Sequence, residues 1–365
     1  MAFIERLLIE DYRGIRNLKI EDLKRVNLIV GDNNCGKTSV LEAIQLLRTS
    51  RNIMNVYRVA RQRDALSVAN ANSIYDSFIC MFPRNDTGTM RLGLSGICNG
   101  QEISFVLTGK QDRILLDAKE LDVNRFKTAE IPEGEVEAES FDGDFTMAYG
   151  TNKKDGHISI NQYSSITGTP SSENDQLNIV YVSPYEHLRG SIINRILRNE
   201  AYKEVCIKVL QLFDPDIEDL MIYRSDIGNR PVEYIRHKKL GDMSVSTYGD
   251  GLKKVMDISD AIAQAAGGIL LFDEIEASIH KKYYDEVFRF IIKACKSFDV
   301  QLFITMHSIE AIDGILMTQD YDRQESEEDI CVCTLKKEGN DTLSRVLTGR
   351  EVYGNREAFG FEVRL

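Results

Sequence analysis

The residues best suited to chemistry stand together near the N-terminus, in Gly31-Asp32-Asn33-Asn34-Cys35-Gly36-Lys37-Thr38-Ser39, directly after the apolar run Val26-Asn27-Leu28-Ile29-Val30. This fits G-x-x-x-x-G-K-[ST] in the strand-loop-helix setting that a phosphate-binding loop requires. Gly31, Asn33, Asn34, Cys35 and Gly36 would wrap the phosphates of ATP closely, so that backbone N–H groups and the start of the next helix face the negative charge. Lys37 is then placed to reach the β- and γ-phosphates, Thr38 to ligate Mg2+, and Ser39 to add a second hydroxyl at the helix start. Asn34 stands where such loops commonly carry Gly. Asn is the residue next most tolerant of a positive φ.

Two further segments could complete the chemistry. Gly268-Ile269-Leu270-Leu271-Phe272-Asp273-Glu274 is an apolar strand ending in two carboxylates. That arrangement is expected beside a phosphate loop on a buried parallel sheet, with Asp273 in the magnesium shell and Glu274 as the general base that orders the attacking water. A second apolar strand, Val300 to Thr305, runs into Met306-His307-Ser308. Neutral imidazole at such a strand end can contact the γ-phosphate and polarise the water held by Glu274.

These residues need a sheet and helices to hold them. Ile4 to Glu10 and Leu18 to Glu21 read as strands around the turn Asp11-Tyr12-Arg13-Gly14, and the helix after Lys37, with Val40, Leu41, Ile44 and Leu47 at helical spacing, is expected to run to about residue 62. Residues 88 to 165 alternate in short strands, with turn signals at Asn99-Gly100, Gly109-Lys110 and Asp155-Gly156, which predicts an antiparallel β subdomain. The acidic run from Glu130 to Ser140 reads as an exposed loop. A helix is expected over roughly 190–213, then a hairpin around Gly228-Asn229-Arg230-Pro231, and a helix after Ser246-Thr247-Tyr248-Gly249-Asp250-Gly251. Another is expected from about 280 to 297, and strands over Ile330 to Leu335 and Thr342 to Leu347. No heptad repeat persists.

Composition narrows the class. With 365 residues and 43% hydrophobic content there is ample material for a packed core. A formal charge of −12 argues against a generally DNA-coating surface. Seven cysteines lack framework spacing and one lies in the phosphate loop, which predicts a reducing, cytoplasmic setting, and Cys331-x-Cys333 has the alternation of a strand rather than zinc spacing. No segment approaches the length of a membrane span, and Met1 to Arg6 lacks the features of a signal peptide.

The order of phosphate loop, S/T-x-G-x-G element, apolar-Asp-Glu and strand-His-Ser resembles the ABC-type ATPase head of the SMC-like, RecF-like and OLD-family proteins. It is most similar to the OLD-like branch, through Gly249-Asp250-Gly251-Leu252-Lys253. The resemblance implies an α/β fold, a P-loop NTPase head with a mixed sheet, an antiparallel β subdomain and a helical lobe. It divides the chain into 1–183 with the β subdomain at about 88–165, 184–266 as the helical lobe with the signature element, and 267–365 completing the core sheet and tail. In such heads the signature of one protomer closes over the ATP of the other, so Thr247, Gly249 and Gly251 would contact the opposite subunit's nucleotide. The family usually carries Ser where this chain has Thr247. Arg13 resembles the basic residue those heads direct at phosphate. The loop Val182-Ser183-Pro184-Tyr185-Glu186 lacks the Gln many heads use as a Mg2+ and water ligand, leaving that role to Ser183 or to no residue. OLD nucleases continue into a nuclease domain, whereas 58 residues follow His307 here.

The expected output is therefore conformational: a homodimer or higher oligomer built around Mg-ATP that controls a separately encoded effector, with bacterial anti-phage defence as the role the resemblance suggests. The effector's docking candidates are an arginine face, the β subdomain and the tail Arg350 to Leu365 with Tyr353, Phe359 and Phe361. One rival is a RecF-like repair ATPase that binds nucleic acid through Arg48, Arg51, Arg58 and Arg61, which a continuous helix would put on one face. The other is an autonomous nuclease, disfavoured because the 130–139 run and Glu325 to Asp329 read as solvated loops.

Overall fold

The computed structural model describes residues 3–48, 53–66, 73–83, 88–117, 134–164, 177–185, 196–224, 231–321, 329–360 and 362–363. Its framework is a six-stranded sheet of order β15-β14-β3-β13-β12-β8. β3 (Val26–Gly31), β8 (Ile179–Val182), β12 (Ile269–Phe272), β13 (Gln301–Thr305) and β14 (Ile330–Glu338) run parallel, and β15 (Asp341–Thr348) closes one edge antiparallel. The central strands are continuous apolar runs because both faces are covered. Leu28 and Val30 point into one core cluster and Ile29 into the other; Phe272 and Leu271 divide in the same way.

A second six-stranded sheet, wholly antiparallel, covers one face: β2 (Ile15–Ile20), β1 (Ile4–Tyr12), β4 (Thr89–Cys98), β5 (Gln101–Asp117), β6 (Glu135–Tyr149) and β7 (Asn152–Asn161). The first hairpin and the expected β subdomain are thus one sheet. Of two buried polar side chains here, Gln301 fastens this sheet to the core sheet and Asn27 ties the Lys24 loop to the core strands. Gln301 bonds the Ile4 N–H and carbonyl and the Lys24 carbonyl, while Asn27 bonds Lys24, Leu302 and Cys331. Each such bond contributes about 1 kcal/mol, and an orphaned partner would cost about 1–3 kcal/mol.

Helices α1 (Lys37–Leu46), α2 (Met54–Ala60) and α3 (Ile74–Ile79) pack with this sheet. α4 (Glu200–Leu210), α5 (Asp250–Gln264), α6 (Tyr284–Ser297), α7 (Ile309–Leu316) and α8 (Gly349–Phe359) cover the other face of the core. The segment between β8 and α5 is not purely helical. It carries a three-stranded antiparallel sheet of β9 (Ile217–Arg224), β10 (Pro231–His237) and β11 (Gly241–Ser244), with Tyr223 and Tyr234 in ring contact at 5.2 Å.

Several sequence expectations change. The helix after Lys37 does not reach residue 62: α1 ends at Leu46, and the Asn55 side chain donates to the Gln45 carbonyl, turning the chain into α2 and then a 3-10 turn over Arg61–Leu66. Arg48 follows α1 while Arg58 lies on α2 and Arg61 is that helix's C-cap, so the arginines do not line one continuous helix, and Arg51 lies outside the described residues. Gly109-Lys110 and Asp155-Gly156 are not turns but strand interiors. A Cβ on Gly109 would meet the Phe141 ring at 2.3 Å and one on Gly156 the Phe145 ring at 2.3 Å, so each glycine seats a neighbouring strand's aromatic ring. The turns are Asn99-Gly100, with both φ positive as a two-residue hairpin demands, and Gly150-Thr151. From Glu135 the acidic run is strand, while residues 130–133 lie outside the described residues. The expected helix over 190–213 is described as a 3-10 turn, Ile196–Arg198, and α4, separated by the N-cap Asn199. Residues 225–230 of the expected hairpin and 322–328 of the second acidic cluster also lie outside. The tail packs on its own head: Val352 is fully buried, Arg356 pairs with Asp313, and Thr334 donates to the Val363 carbonyl. Phe361 and the Phe359 side chain are outside the described set.

Candidate functional site

The C-terminal ends of β3, β12, β13 and β8 converge on the loop that opens α1, the edge at which parallel α/β sheets bind ligands. The loop's conformation follows from its residues. Gly31 (φ 138°), Asn34 (φ 62°) and Gly36 (φ 106°) all take positive φ, so Asn34 fills a left-handed position as its side chain allows. At Gly31 a Cβ would stand 2.3 Å from the Leu335 carbonyl oxygen. Lys37, 5% exposed, donates to the Gly31 and Asp32 carbonyls, 2.8 Å each, which holds its ammonium under the loop. Cys35 is buried, and burial pushes its thiol pKa up, so it is a protonated filler and not a nucleophile.

Thr38 Oγ1 donates to Asp273 Oδ1 at 3.1 Å, joining the loop helix to the end of β12. Asp273 also accepts from Thr305 Oγ1 at 2.5 Å and Tyr181 OH at 3.2 Å. Burial, and after it the Asp273 charge, hold the Tyr181 phenol far above its usual pKa, so it remains a donor. Asp273 N donates to the Val182 carbonyl, which brings Ser183 beside this strand end; the Ser183 carbonyl accepts from Lys254. Thr38 Oγ1 and Asp273 Oδ1 are hard oxygen donors on neighbouring elements, a set that fits Mg2+.

Glu274 follows with φ 50°, a costly backbone for a non-glycine residue, and its N–H donates to Thr305 Oγ1 at 2.8 Å. Its Oε1 lies 3.3 Å from His307 Nε2, with both side chains about two-fifths exposed. Carboxylate and imidazole thus meet at the open edge of the site. Glu276 Oε1 accepts from the His307 N–H at 2.6 Å and the Ser308 N–H at 3.1 Å.

Arg13 reaches this region indirectly. It has φ 51°, is largely buried, and its Nε pairs with Glu42 Oε2 at 2.8 Å. Glu42, on α1, is 1% exposed and also binds Arg63, whose Nη2 donates to Ser39 Oγ at 2.9 Å. The signature residues lie elsewhere: Thr247 Oγ1 donates to the Ser244 carbonyl, Gly249 is the N-cap of α5, and Gly251 packs on Ser278 and Phe213. Thr247 and Gly249 are exposed, and these contacts involve no residue of the phosphate loop.

Sequence reasoning missed Thr305, Tyr181, Glu276, Glu42 and Arg63. None carried a usable local signal: Thr305 comes level with Asp273 only because β12 pairs parallel with β13, Phe272 opposite Ile304.

Comparison with known proteins agrees with this geometry. The family model described as "AAA domain, putative AbiEii toxin, Type IV TA system" matches residues 26–313, from β3 through Asp273, Glu274 and His307 into α7. The chain belongs to that family. This family member is a P-loop NTPase of the ABC type, in which a mixed sheet, an antiparallel sheet and helices surround the phosphate loop. It is similar to an "ATP/GTP phosphatase" of Helicobacter pylori, 22% identical over 363 residues, covering 88% of this chain and 90% of that protein. A segment of 49 residues is 37% identical to the DNA replication and repair protein RecF of Oenococcus oeni, 13% of either chain. Among solved structures it is similar to the SMC head domain from Thermotoga maritima, 13% identical with a TM-score of 0.44, covering 94% of this chain and 98% of that one. No helix among the described residues is long and apolar enough to cross a membrane.

Proposed function

We propose that this chain hydrolyses ATP at a site completed by a second copy of itself, and that the resulting motion controls a separate effector protein. The observation that carries the proposal is the convergence of Lys37, Thr38–Asp273 and Glu274–His307 at one sheet edge. Lys37 would leave the loop carbonyls for the β- and γ-phosphates, and the loop N–H groups would hold their oxygens. Bound Mg2+ would supply charge neutralisation between the phosphates, with Thr38 and Asp273 holding it and Ser183 in reach of its shell. Glu274 orients and deprotonates the attacking water, and His307 steadies the Glu274 carboxylate and faces the γ-phosphate. Arg13 acts through Glu42 on the phosphate-loop helix.

Thr247, Gly249 and Gly251, whose described contacts stay within their own lobe, would close over the partner's nucleotide. The family description, with its toxin–antitoxin link, and the phosphatase relative support a hydrolytic engine in a defence setting. The arginine-face argument for nucleic acid loses its basis once the helix breaks at Leu46. Outside the site, Asp214, Asp216 and His237 bring three potential metal-ligand atoms within 4.8 Å of one another, but His237 Nδ1 accepts from the Lys239 and Leu240 N–H groups. Its proton therefore sits on Nε2 facing Asp214 at 3.3 Å, which favours a hydrogen-bonded support over a nuclease centre.

The test is complementation. Lys37→Ala should abolish ATP binding in calorimetry, and Glu274→Gln should bind ATP yet hydrolyse it about 10²–10⁴-fold more slowly. Mixing Lys37→Ala with Gly249→Asp protomers should restore part of the ATPase rate, because a mixed dimer keeps one intact composite site. No recovery on mixing sinks the two-protomer site, and equal ATP affinity of Lys37→Ala and wild type sinks the site assignment itself.

A further inference from the structure

The loops that carry Glu274 and His307 leave two neighbouring parallel strands, and nothing in the strand ladder fixes one loop against the other beyond Phe272 and Ile304. Side chains do this instead. Thr305 Oγ1 ties the loops at their base, by donating to Asp273 and accepting from the Glu274 N–H. Farther out Glu276 reaches across and accepts the His307 and Ser308 N–H groups on one oxygen, Oε1. Ser308 caps α7, so this carboxylate also sits at that helix's positive end. The other oxygen, Oε2, is buried without a hydrogen-bond partner.

A carboxylate serving only to solvate the helix start would share its load between both oxygens and water. Here both bonds fall on the one oxygen that faces the His307 backbone, and the shorter goes to His307 itself. We infer that Glu276 is a positioning residue: it fixes the backbone of His307 so that the imidazole meets Glu274, and it acts on hydrolysis only through that contact. This rests on the proposed role of Glu274 and His307. What Glu276 controls is the 3.3 Å separation of Glu274 Oε1 and His307 Nε2.

Two near-isosteric variants separate position from charge. Glu276→Gln keeps the reach and an acceptor oxygen but loses the charge. Glu276→Asp keeps the charge but is one methylene, about 1.5 Å, too short. We expect Gln to retain the ATPase rate within a few-fold. Asp should lower kcat at least about tenfold with ATP affinity unchanged, the signature of a contact used only in the chemical step. Placing Glu276→Asp in a His307→Ala background should cost nothing further, since the two act as one unit. The inference is overturned if Asp is active and Gln is not, if the two losses multiply, or if ATP affinity falls in step with kcat. His307→Ala alone reports on the underlying reading: if it hydrolyses ATP like wild type, the role of His307 fails and this inference with it. If it is impaired while Glu276→Asp is not, only the positioning role fails.

Discussion

Thr305 is the side chain on which the site's geometry depends most, and Thr305→Val is the perturbation that isolates it. Valine has nearly the same shape and would remain fully buried, so packing is preserved while both hydroxyl bonds are lost. One is the 2.5 Å bond to Asp273 Oδ1, of a kind worth about 1.5–3 kcal/mol when the acceptor is charged. The other is the 2.8 Å bond from Glu274 N–H, whose loss leaves a donor unsatisfied at about 1–3 kcal/mol. Valine's added methyl recovers about 1 kcal/mol by burial. The net destabilisation is about 1.5–5 kcal/mol, read as a shift of the urea midpoint at constant m-value. Thr305→Ser keeps the hydroxyl and should cost only about 1 kcal/mol. Because the Thr305 bond also restrains the positive φ of Glu274, the Val variant should lose ATPase activity about 10–100-fold, equivalent to about 1.4–2.8 kcal/mol of barrier. Equal stability and equal activity of the Val and Ser variants would refute the reasoning, since they differ chiefly in the hydroxyl.

At Gly36, which caps α1 with φ 106°, an added Cβ would press on Ile15 Cγ1 at 2.9 Å, so Gly36→Ala should lower both stability, by about 1–3 kcal/mol, and ATP affinity in calorimetry. Asn34→Gly, by contrast, should keep the loop's φ of 62° and leave affinity within a few-fold, an outcome that stopped-flow binding can check. His157 on β7 lies between Asp144 at 2.9 Å and Asp142 at 3.1 Å, and its pKa is raised first by the hydrogen bond to Asp144. A raised folded pKa adds stability below the unfolded value near 6.5 that fades as pH climbs through the folded value. His157→Gln should thus be less stable than wild type at pH 6 and no different at pH 9 in thermal melts, and the same small deficit at both would contradict the assignment.

The parts of this protein that its sequence determines alone are those whose chemistry is local. Gly31, Asn34 and Gly36 name the loop because only such residues adopt its left-handed turns, and the apolar runs before Asp273 and His307 mark strands buried on both faces. Where a single residue had two local readings, the sequence could mislead. Gly109 and Gly156 looked like turns, yet each leaves room for a ring on the next strand, a demand visible only once β5, β6 and β7 are in register. The helix from Lys37 looked continuous because its apolar spacing persists past Leu46, while its end is set by Asn55 reaching back to the Gln45 carbonyl. The tail's aromatic residues left two readings, a docking segment or packing on its own head; α8 packs on α7 and β14, with Arg356 on Asp313. The site divides in the same way. Lys37, Thr38, Asp273, Glu274 and His307 announce themselves by type and motif spacing. Thr305, Tyr181, Glu276 and the Glu42–Arg63–Arg13 group do not, because a threonine or a glutamate gains its role only from what lies opposite it. Those partners are 21 to 92 positions away, and strand order, register and helix packing bring them together, which no local pattern encodes.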